Sequence, residues 1–328
     1  MSQDDAQWRQ QVDARLVGPA ATPPPGVTSN FTNGPSRHKY NIVCQTICLT
    51  TVTTLVVIRV YTKSRVLKSL GWDDATSVLA WLGLIAFGVL IAISDEYGAG
   101  KHMWDITGAD YLTFNKLTYA FYITYTFDIL FTKASILLLY LRVFSLTRSL
   151  RIVIQIFLWA HILFYIASFF AAVFMCFPLD AIWNPYVRHI KCLDIGALKV
   201  VSAVINVVSD FAILFIPIST VWNLKMQRKN KVRTMAIFAT GLFGCIAGLV
   251  RVIFLTKELT DKSYAQDPTW MSYPAILWSY AEIAAGILCG CMPAVPAFCR
   301  HVREYAVKIS NKRARIEDDL RRMFRSDV

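Results

Sequence analysis

The stretch IVIQIFLWAHILFYIASFFAAVFM, Ile152–Met175, decides the fold. It holds no Asp, Glu, Lys or Arg and exceeds the roughly 20 apolar residues needed to cross about 30 Å of hydrocarbon. Lipid offers backbone N–H and C=O groups no partner, so such a run has to satisfy them internally, as a helix. A membrane barrel would show alternating strands of about 10 residues instead.

Six further windows of the same kind flank it: Asn41–Tyr61, Ala75–Ser94, Leu117–Leu141, Leu198–Trp222, Met235–Thr256 and Tyr273–Phe298. Thr46, Thr50, Thr51, Thr53 and Thr54 dilute the first, but a threonine hydroxyl can return to its own helix backbone. The 328 residues are 55% hydrophobic and 17% charged, well below the ~25% charged of ordinary soluble domains. The fold class expected is therefore all-α, a polytopic membrane protein with a seven-transmembrane-helix bundle over residues 41–298. A tail of residues 1–40 and a basic tail of residues 299–328 flank it, and no length remains for a sizeable soluble domain.

Basic residues orient the bundle. Arg59, at the end of the first span, and Lys63, Arg65 and Lys68 lie after its apolar part; Arg142, Arg148 and Arg151 follow the third span, and Lys225, Arg228, Lys229, Lys231 and Arg233 the fifth. The tail after Phe298 is also rich in Arg and Lys, and the opposite loops carry about half as many. This bias predicts the N-terminus outside and the C-terminus in the cytosol. The net charge of +12 then belongs to contact with an anionic leaflet of the lipid bilayer and not to nucleic acid. Two features agree with this orientation. Asn30-Phe31-Thr32 is a glycosylation sequon in the outer tail, with chance occurrence as its bland alternative. Cys176 and Cys192 bracket the outer loop between spans four and five, where a disulfide persists, so the two are expected to pair. Residues 1–40 lack an apolar run, so the first span is expected to serve as its own insertion signal. Pro23-Pro24-Pro25-Gly26 marks the outer tail of residues 1–40 as disordered.

Charges inside the spans need partners, because an unpaired one is very costly in hydrocarbon. At about 1.5 Å per residue, Asp128 and Asp210 fall near the midplane, and Arg251 and Glu282 share a level in the outer half. Asn206 shares a helix face with Asp210. Lys133 lies five residues from Asp128, about 140° around the helix, so one does not neutralise the other. The expectation is an Arg251–Glu282 pair with Asn206 and Asp210 beside it and Asp128 facing the same interior. Lys133 would turn to another helix or snorkel to the cytosolic interface. Such a set serves either a ligand site or a purely structural network that sets helix register. His161 reads as a satisfied core histidine, and Tyr119, Tyr122 and Tyr125, at helical spacing, as packing before a ligand cage.

Absences narrow the function. Span seven has no lysine for a retinal Schiff base, so no retinal and no other cofactor is expected. Span three ends in Leu-Tyr-Leu-Arg-Val-Phe, without the Asp-Arg-Tyr of the commonest G-protein-coupled receptors, and span seven lacks Asn-Pro-x-x-Tyr. Cys289 and Cys291 read as packing, so no metal is expected, and Cys299 is a weak palmitoylation candidate. In the tail, Val302, Tyr305, Val307, Ile309, Ile316, Leu320 and Phe324 are compatible with one ragged apolar face among Arg and Lys. That reads either as a helix lying on the anionic leaflet, able to dock a cytosolic signalling partner, or as a solvated tail.

The order of landmarks resembles the fungal rhodopsin-like family of seven-span membrane proteins over roughly residues 40–300. They are Gly71-Trp72-Asp73-Asp74, Tyr97-Gly98-Ala99-Gly100-Lys101-His102, Lys133-Ala134-Ser135-Ile136-Leu137 and Tyr140-Leu141-Arg142. Cys176-x-Pro178, Trp183, Lys191-Cys192, Asn206, Asp210, Pro217, Trp222 and Leu224 follow, then Arg251, Trp278-Ser279, Glu282 and Cys291-x-Pro293. The resemblance implies a seven-helix bundle in a fungal membrane. Some relatives resemble receptors of surface or nutrient cues with an extracellular eight-cysteine domain, which is missing here because no cysteine precedes Cys44. Others resemble products of secondary-metabolite gene clusters. The leading expectation is a receptor-like or sensory protein of the plasma membrane, with a polar site for a small lipophilic ligand. The alternative is a terpene-cyclase-like membrane enzyme or a carrier, using Asp128, Asp210 and Glu282; absence of an internal repeat argues against the carrier.

Overall fold

The computed structural model describes residues 3–144, 148–187, 191–221, 228–261, 264 and 266–326. Trp222, Leu224 and Lys225 lie outside the described residues, as do the side chains of Pro217, Arg228, Lys229, Lys231, Arg233, Leu320 and Phe324. The helices are α1 (Gln3–Val17), α2 (His38–Tyr61), α3 (Trp72–Glu96), α4 (Gly108–Phe144), α5 (Arg148–Val173), α6 (Ile195–Val221) and α7 (Arg228–Thr260). A short α8 (Pro268–Met271), α9 (Tyr273–Cys291) and α10 (Val295–Ser326) complete the chain. A two-stranded hairpin, β1 (Cys176–Phe177) and β2 (Lys191–Cys192), lies between α5 and α6. Pro293 sits in a one-turn break, Met292–Ala294, so the seventh expected window ends at Cys291 and the chain restarts as α10.

Two of the spans, α5 and α2, show why their sequences suit lipid. On α5 the apolar side chains Ile156, Trp159, Leu163, Ile166 and Phe170 recur every three or four residues and are exposed, a stripe that water would not tolerate. The threonines of α2 behave as their chemistry requires: Thr50, Thr51 and Thr54 donate to the carbonyls of Thr46, Ile47 and Thr50 at 2.6–2.7 Å. Thr53 instead accepts from Trp81 Nε1 of α3 at 3.0 Å, which ties the first two spans together.

Six described helices are long and apolar enough to cross a membrane, and α4 is not one of them. It is long, at 37 residues, but it carries Asp128 and Lys133 within its apolar part. Its position explains the composition. Helix α4 packs on α3, α5, α6 and α9, and α9 packs on α2, α3, α4 and α7. These two helices therefore face protein on most sides, where polar side chains can find partners. Val52, Leu84, Phe87, Ile91, Tyr280 and Ile283 fill the core between α2, α3, α4 and α9. Leu137, Tyr140, Ile154, Leu158, Ile213 and Ile216 fill a second core between α4, α5 and α6.

The N-terminal tail corrects the reading of residues 1–40 as disordered. Pro19 bridges to Thr107; Ala20 N donates to Ile106 O at 3.0 Å and Gly108 N to Gly18 O at 3.1 Å. Asn30 N donates to Asp105 Oδ1 at 2.8 Å, and Arg37 N to Gly100 O at 3.0 Å. In α1, Asp13 accepts from Tyr186 Oη and Trp8 meets the Tyr186 ring edge-on at 6.1 Å. Proline-rich composition reports only on local preferences, whereas these bonds join residues far apart in the chain. Asn30 itself is exposed, its Oδ1 accepting from Thr32 N, Thr32 Oγ1 and Asn33 N.

Candidate functional site

Side chains from α4, α5, α6, α7 and α9 converge at one level of the bundle. Arg251 Nε of α7 lies 3.0 Å from Glu282 Oε2 of α9, and the two residues are only 6% and 4% exposed. Gly248, one turn before Arg251, makes the approach possible: a Cβ there would stand 3.0 Å from Glu282 Oε1 and 2.9 Å from Val207 Cγ2. Asn206 of α6 donates Nδ2 to Glu282 Oε1 and accepts from Tyr165 Oη of α5 at 2.7 Å. Tyr125 Oη of α4 donates to Glu282 Oε2 at 3.2 Å, while the Arg251 guanidinium lies 4.4 Å from the Tyr125 ring centre.

Below this level Lys133 turns from α4 to α6. Its ammonium pairs with Asp210 Oδ1 at 2.9 Å and donates to Asn206 O at 2.9 Å and to Ser209 Oγ. Buried charges persist only when paired and hydrogen-bonded, and here two cations meet two carboxylates through Asn206. Five of the six expected site residues thus form one network.

Asp128 does not join it, contrary to the expectation that it shares this interior. It is 1% exposed, its Oδ2 has no hydrogen-bond partner among the described residues, and it turns to α3. Gly83 makes room there, since a Cβ on Gly83 would stand 1.5 Å from Asp128 Oδ1. The physical reason is azimuth: five residues separate Asp128 from Lys133, so the helix aims them at different neighbours. His161 is a satisfied core histidine, its Nδ1 donating to Phe157 O at 2.6 Å.

A cavity of about 260 Å³ opens above the network, with Asn206 and Arg251 at its inner end. Phe87, Phe114, Phe121 and Tyr165 give it aromatic walls. Tyr122 and Tyr125 line it as well, which keeps a ligand-facing role open beside the packing expected from their helical spacing. Thr118, Tyr122 and Lys199 also line a vestibule of about 400 Å³, bordered by Cys176, Cys192 and Tyr119. Cys176 and Cys192 are disulfide-bonded, and the bond clamps the β1–β2 hairpin at the rim. On another side His102 stacks between Trp104 and Trp270, at 4.3 and 4.1 Å, and pairs with Asp267 at 2.5 Å. That stack holds α8, whose Pro268 lines the cavity. A smaller void of about 50 Å³ lies beyond the network, lined by Lys133, Asp210, Glu282 and Thr132.

A second ionic cluster escaped the sequence reading. Arg59 of α2, 1% exposed, donates Nη2 to Asp73 Oδ2 at 2.8 Å, Nε to Asp74 Oδ1 at 2.9 Å and Nη1 to Gly290 O at 2.5 Å. Lys63 pairs with both aspartates, and Arg142 Nη1 reaches Asp73 Oδ1 at 3.2 Å. Asp73 and Asp74 at the start of α3 thereby tie together the ends of α2, α4 and α9. The signal was present as adjacent acids on the side richest in basic residues. Counting those basic residues as loop charges hid it.

Comparison with known proteins follows the same lines. A fungal rhodopsin domain matches residues 58–301. A SAT4 family membrane protein of Emericella nidulans is 37% identical over 238 residues, covering 72% of this chain and 56% of that protein. Fugralins biosynthesis cluster protein 2 of Gibberella zeae is 28% identical over 296 residues, covering 86% of this chain and 70% of its own. Receptor GIN3 of Arthrobotrys oligospora is 26% identical over 294 residues, covering 84% and 66%. No solved structure matches the chain. With its helices, its landmarks and a domain match over most of its length, the chain belongs to the fungal rhodopsin family.

Proposed function

We propose that the chain is a receptor-like membrane protein that admits a small lipophilic ligand from outside into the cavity above Arg251 and Glu282. Counting α4 as a span, on its length and its protein-enclosed position, makes seven. The basic bias of the loops after the odd-numbered spans then supports an outer N-terminus and a cytosolic C-terminus, and the plasma membrane is the location that this reading assigns. Glycosylation at Asn30 belongs to the same reading, with Asn30 exposed.

One observation carries the proposal: the inner end of the cavity is formed by a buried charge network joining α4, α5, α6, α7 and α9. A molecule that displaces or adds a bond at Arg251 or Asn206, the network residues at the inner end of the cavity, therefore acts on five helices at once. Ligands shift a conformational equilibrium only by binding its states unequally, and a shared network of this kind offers that difference. The name of the Arthrobotrys relative, a receptor, agrees with it. Thermal-shift screening of the purified protein with small lipophilic metabolites, repeated on a cavity-filling Ala275→Phe variant, tests the proposal. Stabilisation that persists in the filled variant rejects it.

The second reading, an enzyme or carrier for a lipophilic metabolite, draws on the biosynthetic-cluster names of several relatives. An acid catalyst needs a carboxyl free of cationic partners that faces substrate. Asp210 and Glu282 are ion-paired, and Asp128 does not line the cavity. The geometry therefore favours binding over catalysis.

A further inference from the structure

The cavity wall carries polar atoms that the protein itself leaves unused. Arg251 Nη2 and Thr118 Oγ1 are shut off from solvent and have no hydrogen-bond partner among the described residues. Tyr122 Oη approaches Ser202 without forming a hydrogen bond and lies within electrostatic reach of Arg251. Arg251 Nε is near Glu282 but is not aimed at it, so the ion pair leaves the outer edge of the guanidinium uncommitted. A buried donor without a partner costs about 1–3 kcal/mol, which a ligand acceptor can recover.

Charge balance decides what kind of acceptor fits. Arg251 faces Glu282 at 3.0 Å, and Lys199 at the mouth faces Glu258 at 3.7 Å. Among the described residues, every charged side chain on the cavity wall thus has an opposite neighbour, and an anion would meet no uncompensated cation there. A neutral carbonyl oxygen satisfies the idle N–H and O–H groups without adding charge. The walls decide the rest of the molecule. Phe87, Phe114, Phe121, Tyr125 and Tyr165 present rings that favour offset or edge contacts with a flat π-system. A volume of about 260 Å³ lies just under the ~300–1,000 Å³ typical of sites for drug-sized ligands, so the molecule is small.

We infer that the cavity selects a small, neutral, planar conjugated ketone or lactone, whose carbonyl oxygen docks between Arg251 Nη2 and Tyr122 Oη. This rests on the proposed ligand-binding role and adds the chemical class. Three probes of nearly one shape separate the terms: fluorenone (neutral carbonyl), fluorene (no oxygen) and fluorene-9-carboxylate (anion). Binding is measured by titration of the full-length protein in nanodiscs. Fluorenone is expected to bind at least tenfold more tightly than either of the others. The Tyr122→Phe variant removes one hydroxyl and keeps the ring, with an unchanged Tm showing that the fold is retained; it should weaken fluorenone about tenfold and leave fluorene unchanged. Equal binding of fluorene and fluorenone, or a silent Tyr122→Phe, overturns the carbonyl dock while leaving a lipophilic cavity. Preference for the carboxylate overturns neutrality alone. Failure of all three probes, with native thermal stability, removes the ligand cavity itself and with it the proposed function.

Discussion

Arg251 and Glu282 meet at 3.0 Å across α7 and α9, and each is more than nine-tenths buried. Breaking a buried pair strands the other charge, at about 3–5 kcal/mol. Charge reversal at either position should therefore sharply reduce the folded yield and lower Tm, and the double swap should recover part of both. Fluorescence-detected gel filtration of a fusion reads yield and folding together. Two silent single variants would mean that the pair contributes nothing.

The Cys176–Cys192 bond closes a segment with a sequence separation of 16. In the chain-entropy model a loop of about that size is worth roughly 3 kcal/mol. Cys176→Ser, Cys192→Ser and the double variant should lose the same stability, because each removes one shared bond. Thiol labelling of the non-reduced protein should leave both sulfurs unmodified, and labelling of either contradicts the pairing.

Gly83 and Asp128 give opposite expectations. A Cβ at Gly83 would lie 1.5 Å from Asp128 Oδ1, so Gly83→Ala should cost about 1–3 kcal/mol by overpacking. Asp128→Asn keeps the shape and removes a carboxyl that has no partner, so it should leave Tm unchanged or raise it. The Gly83→Ala/Asp128→Ala double variant should recover much of the first loss. A Tm drop for Asp128→Asn as large as that of Glu282→Gln would place an unseen partner at Asp128.

Arg59→Lys is expected to behave as a severe change. Lysine offers one point charge where the guanidinium fork serves Asp73, Asp74 and Gly290 O together. Folded yield should fall nearly as far as for Arg59→Ala, and full retention with lysine would reduce the cluster to simple charge neutralisation.

Helix α10 supports a lipid-composition test. At 100° per residue, Val302, Tyr305, Ile309 and Ile316 share a face, and each is exposed along the described side chains. Val307 falls well off that face, which corrects the longer list drawn from the sequence. Amide exchange in α10 of the full-length protein should slow in nanodiscs containing anionic lipid, relative to neutral ones. Equal exchange rates in both would leave the helix solvated.

Depth along a helix is legible in a sequence because rise per residue is constant, and it set Arg251 and Glu282 at one level. Apolar windows located the bundle for a similar reason: hydrocarbon tolerates only long helices. Rotation about the helix axis was not legible. Asp128 and Lys133 lie close in depth but face α3 and α6, and only packing tells which neighbour occupies each direction. The Arg59–Asp73–Asp74 cluster was hidden by the same gap, since a basic residue at the end of a span reads alike whether it meets water or folds inward. Tyr122 and Tyr125 were obscured because a cavity wall and a core share one periodicity.

The backbone bonds of residues 18–37 to residues 100–108 impose an order on biogenesis. A ribosome makes the acceptor loop only after α2 and α3 have been synthesised, so the emerging N-terminal segment has nothing to dock on. Throughout that interval Asn30 lacks its later partner Asp105, and under the proposed outer orientation of the N-terminus its side-chain amide would be open to a modifying enzyme at the translocon. Once Asp105 arrives and Asn30 N binds it, the segment is pinned beside the start of α4. Appending a bulky tag ahead of Gln3 would therefore delay a late closing step of maturation, while a tag after α10 would leave it untouched.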